Sequence, residues 1–91
     1  MLYVSDHGES LGENGLYLHG MPYRIAPEAQ THVPMIYWMP SGFIEDQGLS
    51  TSCVKATTAT PLSHDNLFAS VLGLLDIRTR IYQPERDMFA E

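Results

Sequence analysis

The chain has 91 residues, of which 44% are hydrophobic, and 11 acidic against 5 basic residues give it a formal net charge of −6. This length allows at most one small domain, since domains typically run to ~100–150 residues. The hydrophobic content excludes a disordered tail, and the scarcity of Lys and Arg argues against a nucleic-acid-binding surface. The sequence shows no targeting signal, no basic amphipathic helix and no transmembrane segment, which would need ~18 apolar residues.

The first half of the chain predicts two strands separated by a long loop. Residues 1–5 contain a short apolar run and predict a buried strand. Residues 6–32 carry Gly and Pro at intervals, which predicts an irregular segment with at most a short helical turn. Long loops of this kind are usually functional or disordered, and we favour function because metal-binding residue types fall within it. Residues 33–39 are continuously apolar, as expected for a strand covered on both faces by helices.

The second half predicts one clear helix. Residues 43–48 are compatible with a short helix, while residues 50–60 are rich in Ser and Thr and show little periodicity. Residues 63–76 predict a helix that begins at Ser63, a favourable N-cap. Its capping box is expected to be incomplete, because Asn66 stands where Glu or Gln would close the box. The expected buried stripe has helical spacing and consists of Phe68, Val71, Leu72 and Leu75.

Two strands and one helix indicate an α/β arrangement that is incomplete on its own. Residues 77–91 predict a terminal strand or an extended tail, with Pro84 and Asp87 loosening its end. The strands of the isolated chain would expose sheet edges, and exposed edges favour pairing with another copy. The sequence therefore predicts that the isolated chain self-associates.

A candidate metal site follows the first strand. Asp6 and His7 stand side by side where the strand gives way to a glycine-rich loop, and their oxygen and nitrogen donors suit Zn²⁺. Adjacent side chains of a regular strand point to opposite faces, so the two can share one ion only where the backbone bends. Gly8 permits such a bend. The pair also lies beyond the carboxyl end of a strand, where open α/β sheets place their ligands.

The longer string around this pair is more specific than the pair itself. Ser5 begins Ser-Asp-His-Gly-Glu-Ser-Leu-Gly-Glu-Asn-Gly, and Tyr17 begins Tyr-Leu-His-Gly-Met-Pro. With residues 30–35 and 63–76, these strings resemble the phosphoethanolamine transferases of the bacterial inner membrane. Those enzymes belong to the alkaline phosphatase and sulfatase superfamily. The likeness covers most of the chain and weakens in residues 41–62 and after Tyr82.

The resemblance implies a fold and a place within a longer protein. The implied fold is an alkaline-phosphatase-like catalytic domain of sheet and helices, of which residues 1–91 are the C-terminal portion. A membrane domain and the nucleophile would lie earlier in the full-length protein. The catalytic domain would then lie at the periplasmic face of the bacterial inner membrane, and the 91-residue chain would be inactive alone.

The resemblance also implies the chemistry. Asp6 and His7 match two adjacent zinc ligands of the family. The family's site is completed by a Glu and a Thr nucleophile from an earlier part of the full-length protein. The implied reaction moves phosphoethanolamine from phosphatidylethanolamine to lipid A or a related envelope sugar through a phospho-threonine intermediate. The acceptor stays open between lipid A, core heptose and periplasmic glucan.

Three further residues near the pair are assigned roles. His19 matches a histidine that faces the substrate phosphate or a second metal, and it could donate to phosphate oxygens or protonate the leaving group. The alternative is a loop histidine held by packing. Glu9 is close enough in sequence to orient His7 behind the metal, with a solvated acid as the alternative. Ser10 is not expected to act as a nucleophile, because no base and orienting group stand around it.

His32, His64 and Cys53 are assigned roles outside the metal site. The two histidines match family positions to which we assign no ligand role, and we expect hydrogen bonds that fix local structure. Cys53 is the only cysteine, so it cannot form a disulfide within the chain. Its partner lies elsewhere in a longer protein, or it is a semi-buried thiol that acts as a small hydrophobe.

Two other functions stay open. A sulfatase or phosphoglycerol transferase would carry the same Asp-His pair, although residues 9–13 favour the phosphoethanolamine branch. A Cys nucleophile earlier in the protein would indicate a sulfatase, and a Thr would indicate a transferase. The second alternative is a standalone metal-binding module in which Asp6, His7 and His19 supply three ligands.

Overall fold

The structure, a computed structural model, describes residues 1–90, which form two compact units that meet in sequence between Trp38 and Met39. The first unit contains β1 (Leu2–Val4), β2 (Ser10–Leu11), β3 (Tyr17–Leu18), α1 (Glu28–Thr31) and β4 (Met35–Tyr37). The second contains α2 (Ser41–Asp46), α3 (Thr51–Ala56) and α4 (Leu67–Leu74). Short 3₁₀ turns occupy Glu13–Gly15, Thr57–Ala59, His64–Asn66 and Pro84–Arg86. No helix within residues 1–90 combines the length and the apolar character needed to cross a membrane.

The first unit is built on the antiparallel pair β1–β4. Leu2 lies opposite Tyr37, and Val4 lies opposite Met35. Both predicted strands are therefore confirmed, although burial on both faces is wrong for the described residues. Ile36 is 54% exposed, because alternate side chains of a strand point to opposite sides and Ile36 lies on the exposed side of this pair.

The segment between β1 and β4 is more regular than its Gly and Pro content predicts. β2 and β3 form a small antiparallel hairpin in which Ser10 lies opposite Leu18. The carboxylate of Glu13 accepts a hydrogen bond from the Leu11 backbone N–H at 2.7 Å. The backbone N–H groups of Glu13 and Leu11 lower the pKa of this carboxyl, since they stabilise its charged form. The expected helical turn is present as α1.

Gly8 lies where the start of this segment contacts α1. Its backbone N–H donates to the Gln30 carbonyl oxygen at 3.0 Å. A Cβ atom at Gly8 would overlap the Ala29 carbonyl oxygen, so a side chain is excluded there by close backbone approach. Gly8 is not among the positive-φ glycines of the chain, and its importance is therefore one of space.

The second unit begins with two short helices. The predicted helix over residues 43–48 is confirmed as α2, which starts slightly earlier at Ser41. The ambiguous Ser- and Thr-rich segment forms α3, where the Ser50 hydroxyl caps the helix by accepting from the Cys53 backbone N–H at 3.4 Å. Cys53 is exposed, so the semi-buried thiol predicted as one alternative is wrong.

The predicted helix over residues 63–76 is confirmed as a 3₁₀ turn followed by α4. Its capping box is complete, contrary to the prediction. The Ser63 backbone N–H donates to Asn66 Oδ1 at 3.0 Å, and the Asp65 backbone N–H donates to Ser63 Oγ at 3.2 Å. The first turn is a tight 3₁₀ turn, so the Asn side chain, one methylene shorter than Gln, reaches the capping residue.

The buried face of α4 differs from the predicted apolar stripe. Ala69 and Ser70 are buried, whereas Phe68, Val71 and Leu75 are exposed. The Ser70 hydroxyl donates to the Asn66 carbonyl oxygen at 2.6 Å and accepts from the Met88 backbone N–H at 2.9 Å. The small residues allow the following segment to pack closely, and this packing buries Met88 and Phe89.

Asp87 fastens that segment, which forms no strand within residues 77–90. Its carboxylate accepts from the Tyr82 hydroxyl at 2.7 Å and from the Phe89 backbone N–H at 2.8 Å. A Cβ atom at Gly73 would overlap this carboxylate. The hydrogen bond to Asp87 raises the pKa of Tyr82, because it stabilises the protonated phenol beside a negative charge. The predicted terminal strand is therefore wrong, and so is the prediction that Asp87 loosens the end of the segment. Hydrogen bonds to α4 and within the segment hold it in place.

We expect the 91-residue chain to self-associate through the exposed side of β1–β4. Tyr3 and Ile36 lie opposite each other there, and the outer edges of both strands lack strand partners within residues 1–90. Ile36→Lys should shift the chain toward the monomer, because it places a charge on this face. The measurement is molar mass by light scattering across a concentration series. Ile81→Lys, an equally charged change at another exposed site, is the control; a wild-type monomer at every concentration would contradict the prediction.

We expect Gly8→Ala to destabilise the first unit by about 1–3 kcal/mol, the usual cost of inserting a methyl group where there is no room. The matched control is Gly42→Ala, where the added Cβ atom meets open space within α2. That change should stabilise the chain by roughly 0.5–1 kcal/mol. The measurement is urea unfolding of both variants, and equal midpoints for the two would contradict the close contact.

Candidate metal centre

The first unit brings His7, Glu9 and His19 together. One potential ligand atom from each lies within 4.8 Å of the others, and no second group of this kind occurs in the described chain. The hairpin register explains the meeting. Ser10 lies opposite Leu18 in the antiparallel pair. Glu9 comes just before β2 and His19 comes just after β3, so both residues lie at the same end of the hairpin.

Glu9 makes its closest contact with His19. His19 Nδ1 donates to Glu9 Oε1 at 2.6 Å, since an ionised carboxylate can only accept. This hydrogen bond orients the imidazole and leaves Nε2 as the ring nitrogen for a ligand or a substrate oxygen. The same carboxylate oxygen lies 3.8 Å from His7 Nδ1. The sequence pointed to His7 as the residue that Glu9 orients, whereas the structure places the shorter contact at His19.

His7 is oriented by the main chain. Its Nδ1 donates to the Gly8 carbonyl oxygen at 2.9 Å, because a carbonyl can only accept, and Nε2 of the neutral ring therefore keeps its lone pair. Nε2 lies 3.8 Å from Asp6 Oδ1. Two donors bound to one tetrahedral zinc ion at ~2.0–2.1 Å are roughly 3.3 Å apart. A small adjustment would let Asp6 and His7 share one ion, as the sequence predicts.

The two imidazole rings stack. Their centroids are 3.7 Å apart and their planes differ by 20°. Both side chains are partly exposed, and the Asp6 carboxylate is 90% exposed, so the cluster opens to solvent. Two imidazoles beside two carboxylates form a mixed nitrogen and oxygen donor set, which fits Zn²⁺. The same groups can also hydrogen-bond phosphate oxygens.

Behind this cluster lies a buried polar contact that the sequence analysis missed. Ser10 is 2% exposed and Gln30 is 5% exposed, and Gln30 Nε2 donates to Ser10 Oγ at 2.7 Å. A hydroxyl shielded in this way is poorly placed to act as a nucleophile. No periodic pattern marks Gln30, because α1 has only four residues.

The other histidines lie outside the cluster. His32 Nδ1 donates to Glu28 Oε1 at 2.9 Å across one turn of chain, and both side chains are largely exposed. This contact fits the expected local role. His64 lies in the 3₁₀ turn before α4, in the second unit.

Comparison with known proteins places this chain in a family. The family model described as Sulfatase matches residues 1–77. The chain is 46% identical over 89 residues to the phosphoethanolamine transferase EptA of Salmonella typhimurium, a match that covers 97% of this chain and 16% of EptA. It is 47% identical over 77 residues to the phosphatidylethanolamine transferase Mcr-1 of Escherichia coli, covering 85% of this chain and 13% of Mcr-1. A third relative is the Kdo(2)-lipid A phosphoethanolamine 7''-transferase of Escherichia coli, 34% identical over 79 residues, with 82% of this chain and 14% of that protein covered. The chain thus spans less than a fifth of these relatives.

Solved structures agree with the sequence relatives. The soluble domain of lipooligosaccharide phosphoethanolamine transferase A from Neisseria meningitidis matches with a TM-score of 0.90 and 48% identity, covering 98% of this chain and 27% of that domain. The C-terminal periplasmic domain of EptC from Campylobacter jejuni matches with a TM-score of 0.81 and 49% identity. This match covers 97% of this chain and 27% of the EptC domain. The predicted fold class, part of an alkaline-phosphatase-like domain of sheet and helices, is confirmed. The chain therefore belongs to the sulfatase family, and the relatives it matches there are phosphoethanolamine transferases.

Proposed function

We propose that this chain is the zinc-binding, C-terminal part of the catalytic domain of a phosphoethanolamine transferase that modifies lipid A. The observation that carries the proposal is the meeting of His7, Glu9 and His19 next to Asp6. The names of the relatives support the transferred group and the acceptor, and the donor set supports the metal.

Asp6 and His7 are the residues proposed to hold zinc. The chemistry that a bound zinc ion supplies is stabilisation of phosphate oxygens and activation of a hydroxyl nucleophile. The contribution of this chain is to fix the tautomer and the direction of the His7 ring, through the hydrogen bond from Nδ1 to the Gly8 carbonyl oxygen, so that Nε2 is the nitrogen presented to the ion. The Asp6 carboxylate accepts a hydrogen bond from the His7 backbone N–H at 3.0 Å. This bond holds the carboxylate near Nε2 of the His7 ring.

His19 is proposed to act on the phosphate group. With Nδ1 engaged by Glu9, Nε2 is the nitrogen that can donate to a phosphate oxygen or deliver a proton to the leaving group. The hydrogen bond from Nδ1 to the Glu9 carboxylate holds the ring in the orientation that presents Nε2.

The remaining parts of the proposal concern the longer protein. They are a threonine nucleophile that forms a phospho-threonine intermediate, phosphatidylethanolamine as donor, and a location at the periplasmic face of the inner membrane. The matching Campylobacter jejuni structure is that of a periplasmic domain, which supports the location. A sulfatase or phosphoglycerol transferase would use the same Asp-His pair, and the names of the relatives favour the phosphoethanolamine branch.

We expect the purified 91-residue chain to bind Zn²⁺ and to lose affinity when a ligand is removed. Asp6→Ala and His7→Ala should each weaken binding by at least roughly tenfold, since removing a ligand should cost more than removing a residue that orients one. The measurement is calorimetric titration with zinc in competition with a chelator. His32→Ala is the matched control, because His32 is exposed and lies outside the cluster. Equal affinity of wild type and His7→Ala would contradict the assignment.

We expect the chain to support transfer when it is placed in a full-length relative. In a chimera, this chain would replace the matching segment of the Salmonella typhimurium EptA. Phosphoethanolamine addition to lipid A, followed by mass spectrometry, should be retained. His19→Ala in the chimera should lower the rate by roughly 10²–10⁴, the usual range for losing an acid or base, and His32→Ala should leave it unchanged.

The 91-residue chain alone should show no transfer. Transfer by the isolated chain would contradict the need for a nucleophile supplied elsewhere. A chimera that folds and inserts in the membrane, yet shows no transfer, would contradict the proposed function itself.

A further inference from the structure

We infer that Gln30 is a positioning residue that ties together the two arms of the site loop, so that His7 and His19 face each other. This inference rests on the proposed function of that loop as a metal and phosphate site. The Gln30 side chain forms no hydrogen bond with a candidate metal ligand. It acts through the chain segments that carry those ligands.

Gln30 makes three contacts with the loop. Its side-chain Nε2 donates to Ser10 Oγ at 2.7 Å, and its Oε1 accepts from the Met21 backbone N–H at 3.4 Å. Its backbone carbonyl oxygen accepts from the Gly8 backbone N–H at 3.0 Å. One residue of α1 therefore holds positions on both sides of the hairpin.

These contacts fall next to the site residues. Gly8 follows His7 directly, Ser10 follows Glu9 directly, and Met21 lies two positions after His19. The arm that carries His7 and Glu9 and the arm that carries His19 are thus both bonded to Gln30. The hairpin itself joins the arms through only two residue pairs.

Burial makes these bonds matter. Gln30 is 5% exposed, and no buried side-chain nitrogen or oxygen in residues 1–90 lacks a hydrogen-bond partner. Removing the amide would leave the buried Ser10 hydroxyl and the partly buried Met21 N–H without this partner, which is more costly than losing an exposed hydrogen bond. The loop would then relax to recover partners, and the spacing of the two imidazoles would change.

The test uses the metal-free 91-residue chain. Gln30→Met keeps the length and apolar volume of the side chain and removes both of its hydrogen bonds. Ser10→Ala is a milder change that removes one of them. The control is Ser70→Ala, because Ser70 is fully buried and its hydroxyl also bonds a backbone N–H, but it lies in the second unit.

The first readout is the nuclear Overhauser contact between the ring protons of His7 and His19, whose centroids are 3.7 Å apart. Gln30→Met should lose this contact and speed amide exchange at Met21, while Ser70→Ala should keep both as in wild type. Circular dichroism checks that each variant is folded. A folded Gln30→Met variant that keeps the ring contact would overturn the inference.

The second readout is Zn²⁺ affinity. Gln30→Met should weaken binding by roughly tenfold or more, as is typical when a residue that orients metal ligands is lost, and Ser70→Ala should not. Gln30→Met combined with Ser10→Ala should bind as weakly as Gln30→Met alone, since both changes remove the same hydrogen bond.

The two readouts separate this inference from the proposed function. If wild type binds no zinc but Gln30→Met still loses the ring contact, the proposed metal site fails and the positioning role of Gln30 stands. If Gln30→Met unfolds, Ser10→Ala decides the matter by the same ring contact, and an unchanged contact there overturns the inference.

Discussion

The antiparallel pairing of β1 with β4 is the constraint on which the candidate site depends. Because Val4 lies opposite Met35, the chain from residue 5 to residue 34 must leave and return at the same end of the sheet. Inside this closed loop, the hairpin β2–β3 closes a second, smaller one. Closing a short loop within an already closed one costs little additional chain entropy. Histidines that are 12 positions apart in sequence are thereby brought into ring contact.

The two histidines differ in the group that holds Nδ1. His7 Nδ1 donates to a neutral carbonyl oxygen, and His19 Nδ1 donates to the Glu9 carboxylate. A carbonyl partner fixes the tautomer of a neutral ring, as a metal ligand requires, whereas a carboxylate partner also stabilises a positively charged ring. This difference is consistent with the proposed roles, in which His7 is a metal ligand and His19 acts at a phosphate oxygen. It arises from the backbone geometry at Gly8 and from the hairpin register, since the two side chains are chemically identical.

The sequence predicted those elements whose signals are local. The apolar runs of β1 and β4 and the Ser63 cap before α4 are all visible without tertiary structure. The strands β2 and β3 have two residues each, too few for an alternating pattern to show. For α4, helical spacing correctly defined an apolar face but not the side that packs. The side of α4 that packs carries the small residues Ala69 and Ser70, and a hydrogen bond to the Ser70 hydroxyl joins that side to the segment that contains Met88.

The same distinction applies to the site. Asp6, His7 and His19 were identified from motif strings, which are contiguous in sequence. The contact of Glu9 with His19 depends on hairpin register, and the role of Gln30 depends on a helix that approaches the loop from 20 residues away in sequence. Such relations have no contiguous signal, because they exist only after the chain has folded back on itself.

The continuous apolar character of residues 33–39 also has a physical explanation. A strand of this kind suits a sheet covered on both faces, and the matching solved domain is several times as long as this chain. We therefore expect Ile36, exposed within residues 1–90, to be covered in a complete domain of this family. Burial of this face would stabilise β1–β4, and with it the closed loop that presents His7 and His19. Part of the free energy of metal binding would be spent on ordering a loop that the 91-residue chain stabilises only weakly. The metal affinity of this chain should therefore be lower than its donor set alone would allow.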